Sequence, residues 1–382
     1  MQDECLEYLK MKSRSNPRPV AVILGTRPEI IKLSALIRLL EKSSQPYVLL
    51  HTGQHYSYEM DRVFFKELEL PEPKYQLSVH QTPSTGHGHH VGRMLPDLEK
   101  IFLKEMPHTV LVQGDTNTVL AGALIASKIS GMKLGHVEAG LRSYDREMPE
   151  EVNRIMTDHV SDYLFAPTLG ARKILRREGI PDKKIFMTGN TIVDAVLQNL
   201  SIAKKKSRKL PYGLGEKDDF ILLTLHRQEN VDDKKRLASI LRGLEKVSAH
   251  FKMPLVFPAH PRTVKMLHHF GLSLPKGVGA HAPVGFLDFL RLEAAARLIL
   301  SDSGGVQEES CILRVPCVTL RTSTERPETV EVGANAIAGY RPENILKCSR
   351  RMIRLKRSWK NPFGDGHASE RILQIVETHR LS

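Results

Sequence analysis

The sequence lacks several features that would assign a chain of this length to a simple class. Its 382 residues include four cysteines, with no Cys-x-x-Cys pair and no zinc-ligand spacing: Cys5, Cys311, Cys317 and Cys348. This pattern excludes a disulfide framework or zinc ribbon and favours packing roles in a reducing cytosol. No apolar run approaches the ~20 residues that span a bilayer, so no membrane partner is expected. Residues 1–18 lack the apolar core of a signal peptide and are interpreted as an N-terminal extension.

Familiar cofactor motifs are missing as well. The glycine turn at Gly25–Glu29 matches neither Gly-x-Gly-x-x-Gly nor Gly-x-x-x-x-Gly-Lys-Ser/Thr, so neither a dinucleotide fingerprint nor a triphosphate P-loop is supported. The net charge is +13, with a basic run at residues 204–209. This run has no interleaved aromatic residues and is interpreted as a solvated helix end, so no nucleic-acid partner is expected.

Short apolar segments that alternate with amphipathic ones predict an α/β fold of two doubly wound, parallel-sheet domains. We expect a Rossmann-like domain over 19–198, a linker over 199–218, a second Rossmann-like domain over 219–366 and a terminal helix over 367–382. The strands are expected at 20–24, 47–51, 109–113, 133–137, 163–166, 185–188, 220–224, 254–257, 298–301 and 317–320.

Two strand–turn–helix segments, one in each half, are expected to bind anions at helix N-termini. The first offers Arg27 and, about one turn later, Lys32, which can neutralise a diphosphate. The second has Gly304 and Gly305, which allow a close approach to an oxygen, with the Ser303 hydroxyl as a donor. Glu308 and Glu309 follow one turn later, where a carboxylate can accept both hydroxyls of a ribose. Together these segments predict that both domains close on one nucleotide-containing ligand.

The catalytic candidates are carboxylates that follow predicted strands or begin helices. Asp115 and Glu138 are expected at the carboxyl edge of one sheet, and Glu150 begins the next helix together with Glu151, with which Arg154 can pair. Taken singly, each acid is more often a cap or turn residue.

Two histidines follow strands of the second half. His226 is expected to meet a phosphate, and His260 follows the next strand. A single histidine at such a place is usually a polar turn residue, but two at equivalent strand ends favour a functional role.

A long polar loop is expected from Leu77 to His90. It contains His87, His89 and His90, but their spacing matches no recognised metal site. We therefore expect a hydrated, mobile loop and no metal.

An ordered set of motifs from about Val20 to His367 closely resembles the non-hydrolysing UDP-N-acetylglucosamine 2-epimerases. The segments that carry the resemblance are Gly25–Glu29, Thr52–His55, Gly114–Thr116, His136–Arg142, Pro149–Arg154, Thr188–Thr191, Asp302–Glu309 and Thr324–Glu328. The resemblance implies a GT-B fold with an interdomain active site, a terminal helix that returns to the first domain, and a homodimer. It also implies interconversion of UDP-N-acetylglucosamine and UDP-N-acetylmannosamine without NAD or an essential metal.

The same resemblance implies roles for individual residues. In this family UDP is eliminated to give 2-acetamidoglucal and is then added back after reprotonation on the other face. The residues matching catalytic and substrate-contacting positions are Arg27, Lys32, Asp115, Glu138, Glu150 and His226, and those matching positions around uracil, phosphates and ribose are Phe289, Ser303, Gly304, Gly305, Glu309 and Arg326. Some bacterial members bind a second, activating UDP-N-acetylglucosamine, and Gln54, Arg93 and His260 lie in comparable regions.

Other functions share parts of this pattern. An epimerase of another UDP-2-acetamido sugar, such as a diacetamido uronic acid, would keep every motif. A GT-B glycosyltransferase would use the same cations but needs an acceptor groove, and a silent nucleotide-sugar binding protein would not need the three acids. A cytosolic epimerase acting in surface polysaccharide or cell-envelope assembly is the expectation that best accounts for the residues.

Overall fold

The computed structural model describes residues 17–54, 58–77, 79, 86–207, 209–215 and 218–380. The described chain divides into two compact units. Unit 1 contains the residues up to Ala195 together with those from Phe363 onward, and unit 2 contains Val196–Pro362. Within the described ranges, no helix is long and apolar enough to cross a membrane.

Unit 1 is built on a parallel sheet with the strand order β3-β2-β1-β4-β5-β6-β7. Its central strands are rich in Val, Ile and Leu and buried along their length, as expected for a parallel sheet covered by helices on both faces. The strands are β1 (Val20–Leu24), β2 (Tyr47–His51), β3 (Tyr75–Gln76), β4 (Thr109–Gln113), β5 (Lys133–Val137), β6 (Tyr163–Ala166) and β7 (Ile185–Met187).

Helices connect these strands, and the last one returns to unit 1 from the C-terminal end of the chain. They are α1 (Arg27–Lys42), α2 (Tyr58–Glu67), α3 (His87–Glu105), α4 (Asn117–Lys128), α5 (Pro149–Val160), α6 (Leu169–Arg177), α7 (Thr191–Lys206) and, after unit 2, α15 (Ala368–Thr378).

Unit 2 repeats the design with the parallel order β10-β9-β8-β11-β12-β13. Its strands are β8 (Ile221–Thr224), β9 (Leu255–Pro258), β10 (Val278–His281), β11 (Leu298–Ser301), β12 (Cys317–Thr319) and β13 (Asn335–Ile337). Its helices are α8 (Gln228–Val231), α9 (Lys234–Phe251), α10 (Pro261–Phe270), α11 (Phe286–Ala295), α12 (Gly304–Ile312), α13 (Pro327–Glu331) and α14 (Pro342–Met352).

Each sheet reverses its winding direction at one place, between β1 and β4 in unit 1 and between β8 and β11 in unit 2. Connections on the two sides of such a switch point leave in opposite directions, which opens a crevice beyond the carboxyl ends of the strands. The turns that carry Arg27, Asp115, His226 and Ser303 follow these four strands. The topology therefore places the residues singled out from the sequence where open α/β sheets bind ligands.

The expected loop over 77–90 is wrong at its C-terminal end, because α3 begins at His87. Gly88, Gly92 and Pro96 weaken the helical pattern in the sequence. The helix forms nonetheless because Met94, Leu98, Ile101 and Phe102 create a buried stripe on one face. His90 is buried with them. Residues 78 and 80–85 of the expected loop lie outside the described residues.

The remaining differences concern strand limits and short strands. Three strands, β3, β10 and β13, carry no sequence signal because they are two to four residues long and, in β10, partly exposed.

The basic run 204–209 begins at the exposed end of α7, inside the segment predicted as a linker. Cys311 and Cys317 are buried free thiols, as a packing role requires, whereas Cys5 lies outside the described residues.

The terminal helix α15 is anchored to unit 1 by a buried cap. The Asp194 carboxylate accepts hydrogen bonds from the backbone N–H groups of Ala368 (3.2 Å) and Ser369 (2.8 Å) at the start of this helix. At the other end of the helix, Arg380 donates to Gln45 at 2.7 Å. Asp194 therefore satisfies donors that would otherwise be orphaned at the helix N-terminus.

We expect Asp194→Ala to lower the free energy of unfolding by about 1–2 kcal/mol, because two buried N–H groups lose their acceptor. Asp194→Asn, which keeps one acceptor oxygen, should lose less. Urea unfolding at pH 7 measures both values. Equal stability of the Ala variant and the wild type would contradict the anchoring role.

Candidate active site

The turn after β1 depends on a glycine and a buried carboxylate. A Cβ at Gly25 would lie 2.0 Å from Thr118 Oγ1 and 2.5 Å from Thr52 Oγ1, so no larger residue fits there. Glu29, in the first turn of α1, accepts the backbone N–H groups of Gly25 (2.5 Å) and Thr26 (2.9 Å). The carboxylate thus fixes the backbone that presents Arg27, whose guanidinium lies 4.5 Å from the ring centroid of Phe64.

Glu29 also connects this turn to the turn after β4. Its second oxygen accepts the Thr116 hydroxyl at 2.6 Å, next to Asp115. The pKa of Glu29 is raised to about 7, mainly by burial and also by the charge of Asp115. The hydrogen bonds from Thr116, Gly25 and Thr26 oppose this rise. A single side chain therefore ties together the two turns at the switch point and titrates near neutral pH.

Glu138, directly after β5, is a buried acid held by donors from several elements of unit 1. Its backbone has φ = 71°, a left-handed conformation that costs energy for any residue with a Cβ. Lys32 Nζ lies 2.7 and 2.6 Å from its two oxygens, Asn190 Nδ2 donates at 3.2 Å, and Gln113 Nε2 donates as well. Donors from α1, from the end of β4 and from the loop after β7 thus hold one buried carboxylate.

Asp115 lies beside this cluster and forms an ion pair with Arg154 of α5. Burial raises the pKa of Asp115; Arg154 and Lys32 oppose this shift, and the negative charges of Glu138 and Glu150 add to it. Arg154 is held on its other side by Glu151 at 2.7 Å. The structure therefore brings together all the acids of the first half that the sequence predicted, together with Lys32 and Arg154.

The acids differ in what they can do chemically. Lys32, Gln113 and Asn190 donate to the oxygens of Glu138, which suits a fixed negative charge that orients Lys32. Asp115 is about one-third exposed at its side chain (34%) and has a raised pKa, and both properties suit a group that exchanges protons with a ligand. Glu150, in the first turn of α5, is partly exposed nearby.

A buried histidine supports the turn that carries Asp115. His136 Nε2 lies 2.8 Å from the Gly114 carbonyl oxygen, and Nδ1 lies 2.6 Å from Asp158. The imidazole therefore bridges the Gly114 carbonyl oxygen and the Asp158 carboxylate and fixes the turn that carries Asp115. Asp158 also pairs with Arg142 at 2.7 Å. His136 and Arg142 lie in a motif that carried the resemblance, but their contacts with Asp158 are not predictable from local sequence pattern.

In unit 2, one buried aspartate organises the turn after β8. The Asp302 carboxylate, 0% exposed, accepts the backbone N–H groups of His226 (3.0 and 3.1 Å) and Arg227 (2.8 Å) and the Asn230 side-chain amide (3.1 Å). The His226 Nδ1 atom lies 3.3 Å from the same carboxylate. Burial alone would raise the pKa of Asp302, but His226 and the amide donors hold this pKa below its ordinary value. Asp302 thus joins the turn after β8 to the turn after β11.

The predicted phosphate turn begins helix α12. Ser303 is the N-cap residue, and its backbone N–H donates to Ser301 Oγ at 2.9 Å. A Cβ at Gly304 would come within 3.3 Å of Glu325 Oε2, whereas Gly305 is exposed. This combination leaves a tight, accessible helix start of the kind that receives phosphate.

The two glutamates of α12 have different surroundings. Glu308 is buried and pairs with Arg326 at 2.7 Å, whereas Glu309 is partly exposed. Of the two, Glu309 is therefore the better placed to meet a ligand hydroxyl. Phe289, in α11, packs at the edge of the core of unit 2.

His260 lies next to His226, with ring centroids 5.6 Å apart. Burial and the charges of His226 and Arg262 lower its pKa, and its Nδ1 accepts the Arg262 N–H at 3.1 Å. Of the other residues predicted to be regulatory, Gln54 is buried and accepts two hydrogen bonds from Thr118 at 2.8 Å, and Arg93 is exposed on α3. A regulatory role for these three residues stays a prediction. Nowhere in the described ranges do three or more His, Cys, Asp or Glu side chains form a group that could hold a metal ion.

Comparison with known proteins decides the family. A family model described as UDP-N-acetylglucosamine 2-epimerase matches residues 38–377. The chain belongs to the UDP-N-acetylglucosamine 2-epimerase family. It is 54% identical over 363 residues to the Methanocaldococcus jannaschii protein of that name, covering 94% of this chain and 98% of the relative. The resemblance inferred from the motifs is therefore confirmed.

A solved structure and one further relative extend the comparison. The crystal structure of the M. jannaschii enzyme in complex with UDP-GlcNAc and UDP has 53% sequence identity and a TM-score of 0.79, covering 94% of this chain and 99% of the other. This likeness confirms the GT-B fold class. Among epimerases of other sugars, the UDP-2,3-diacetamido-2,3-dideoxy-D-glucuronate 2-epimerase of Pseudomonas aeruginosa is 42% identical over 361 residues, covering 94% and 99% of the two chains.

We expect Lys32→Met to lower the free energy of unfolding by about 3 kcal/mol, because it leaves the buried Glu138 carboxylate without its counter-ion. Glu138→Gln removes the charge, so the double variant should recover a large part of that loss. Urea unfolding of the four proteins gives the coupling energy. Additive effects of the two substitutions would contradict the ion pair.

The raised pKa of Glu29 predicts a pH dependence of stability. The folded protein holds the proton of Glu29 up to about pH 7, whereas the unfolded chain releases it near its ordinary value of 4.5. Stability relative to Glu29→Gln should therefore fall by up to about 3 kcal/mol from pH 4.5 to 7.5. Urea unfolding of both proteins across this range measures it, and a constant difference would show that Glu29 titrates normally.

Proposed function

We propose that the protein interconverts UDP-N-acetylglucosamine and UDP-N-acetylmannosamine by inverting C2 of the sugar. The observation that carries this proposal is the cluster of Asp115, Glu138 and Glu150 around Lys32 in unit 1. A binding protein has no need for such a cluster, and a proton-transfer enzyme requires one. Membership of the epimerase family and the substrate in the M. jannaschii complex support the choice of sugar.

The reaction proceeds by elimination and re-addition. A carboxylate removes the proton from C2, the C–H electron pair forms the C1=C2 double bond, and the C1–O bond breaks so that its electrons leave with the diphosphate. The products are 2-acetamidoglucal and UDP. Protonation of C2 on the opposite face and attack of a diphosphate oxygen on C1 complete the inversion. No external oxidant, reductant or metal enters this balance, so the predicted absence of a cofactor is consistent with the chemistry.

The residues of unit 1 suit the steps at the sugar. We assign proton transfer to Asp115 and Glu150 because Asp115 has a raised pKa and both are partly exposed. Glu138 keeps Lys32 in place, and Lys32 with Arg27 supplies positive charge for the departing diphosphate. Arg154 orients Asp115.

The residues of unit 2 suit the nucleotide. The Ser303–Gly305 turn offers backbone N–H groups and the α12 dipole to phosphate, and His226 contributes a further donor. Glu309 is assigned to the ribose hydroxyls and Phe289 to the uracil. Arg326, which pairs with Glu308, is assigned to the surroundings of the nucleotide on the family resemblance.

A diacetamido uronic acid is the second candidate substrate, because the P. aeruginosa relative is 42% identical over nearly the whole chain. The M. jannaschii protein is closer, at 54%. On the family resemblance alone, we also propose that the protein is a cytosolic homodimer and acts in surface polysaccharide or cell-envelope assembly.

Proton NMR of the purified protein with UDP-N-acetylglucosamine in D₂O, without NAD, metal or acceptor, tests the function. We expect UDP-N-acetylmannosamine to appear with deuterium at C2. Asp115→Asn should lower turnover by at least about 100-fold, whereas the exposed acid Glu147 offers a matched control, Glu147→Gln, with unchanged turnover. Turnover of the diacetamido uronic acid alone would favour the second substrate. Release of free N-acetylmannosamine, or an Asp115→Asn variant as active as the wild type, would contradict the proposal.

A further inference from the structure

Glu293 in α11 is a buried acid that the proposed mechanism does not use. Its relative exposure is 0%, and among the described residues no N–H or O–H group donates to either of its carboxyl oxygens. A buried carboxylate without a donor or a counter-ion carries a large desolvation cost. The surroundings of Glu293 therefore favour its neutral, protonated form.

The group within hydrogen-bonding reach of Glu293 is the carboxyl of Glu309, from the adjacent helix α12. Two ionised carboxylates cannot form a hydrogen bond, because neither has a donor, so one proton must be shared by the pair. Glu293 is fully buried and Glu309 partly exposed, so the proton belongs on Glu293 and the charge on Glu309.

The electrostatic surroundings agree with this assignment. Burial raises the pKa of Glu293 well above its ordinary value, and the charge and hydrogen bond of Glu309 raise it further. In the described part of the chain, no Lys, Arg or His offsets this shift. Cys317 of β12 is also close, but burial raises its thiol pKa to about 12, so it stays neutral over the working range.

We propose that Glu293, as a carboxylic acid, donates a hydrogen bond to Glu309 and so orients the Glu309 carboxylate to accept the ribose hydroxyls of UDP. Glu293 is a positioning residue, because it acts through Glu309 and not on the ligand. The inference rests on the proposed function, which assigns Glu309 to the ribose. It explains why a second acid is buried behind the ribose-binding one, where an apolar residue would pack at lower cost.

Because this arrangement needs the proton on Glu293, binding of the ribose hydroxyls should weaken at high pH. Glu293 is protonated below its raised pKa, and the pair is then intact. Above that pKa, Glu293 loses its proton, the two carboxylates repel each other, and the contact with the ribose hydroxyls is lost. Glu293→Gln keeps an N–H donor that cannot titrate, whereas Glu293→Met has a similar volume and no donor.

Isothermal titration with UDP and with 2′,3′-dideoxy-UDP, which lacks both ribose hydroxyls, tests the inference. We expect Glu293→Met to weaken UDP binding on the order of 10-fold, with little change for the dideoxy compound. Glu293→Gln should retain the wild-type preference for UDP. Asp288→Asn, at an exposed acid of the same helix, is the matched control and should change neither affinity.

The pH series separates recognition from general stability. The wild-type preference for UDP over dideoxy-UDP should decline at alkaline pH, whereas the preference of Glu293→Gln should stay constant. This comparison tests the role of Glu293 even if Glu293→Met does not fold. Equal weakening of both ligands by Glu293→Met, or the same pH profile for wild type and Glu293→Gln, would overturn the inference. Wild-type protein that binds neither compound would instead contradict the proposed function.

Discussion

The ion pair between Lys32 and Glu138 is the interaction on which the arrangement of unit 1 depends. Glu138 occupies a left-handed backbone position directly after β5, where it can meet donors from α1, from the end of β4 and from the loop after β7. These elements are far apart in sequence and converge because the parallel strands end at one edge of the sheet. The desolvation cost of burying the Glu138 carboxylate is offset by its bonds to these donors.

The same principle organises unit 2 around Asp302. A buried carboxylate at the end of β11 accepts the backbone N–H groups of the turn after β8 and thereby fixes His226 and Arg227. In both units, then, a buried acid shapes the loops that carry residues we assign to the ligand. Glu29 in unit 1 and Glu293 in unit 2 extend the pattern, since each is buried and each contacts or borders a residue assigned to the ligand.

The sequence predicted the parts of this structure that depend on local pattern. Strands such as β1, β4 and β11 are predictable because they are short runs dominated by Val, Ile and Leu, and Asp115 and Glu138 because they lie within two residues of a strand end. Gln113, Asn190 and Asp302 were not assigned their bonding roles, because these depend on partners more than 20 residues away. The start of α3 at His87 was missed because Gly88 and Gly92 mask a helix whose stability comes from tertiary packing.

The central claim is that the C1–O bond to the diphosphate breaks during inversion at C2. Positional isotope exchange tests it directly: UDP-N-acetylglucosamine carrying ¹⁸O in the bond between C1 and the β-phosphorus is incubated with the enzyme and followed by ³¹P NMR. If UDP departs and returns, the label will move from the bridging to the non-bridging positions of the β-phosphate as the epimer forms. Epimer that forms while all the ¹⁸O stays in the bridge would contradict departure of a UDP that is free to rotate before it returns.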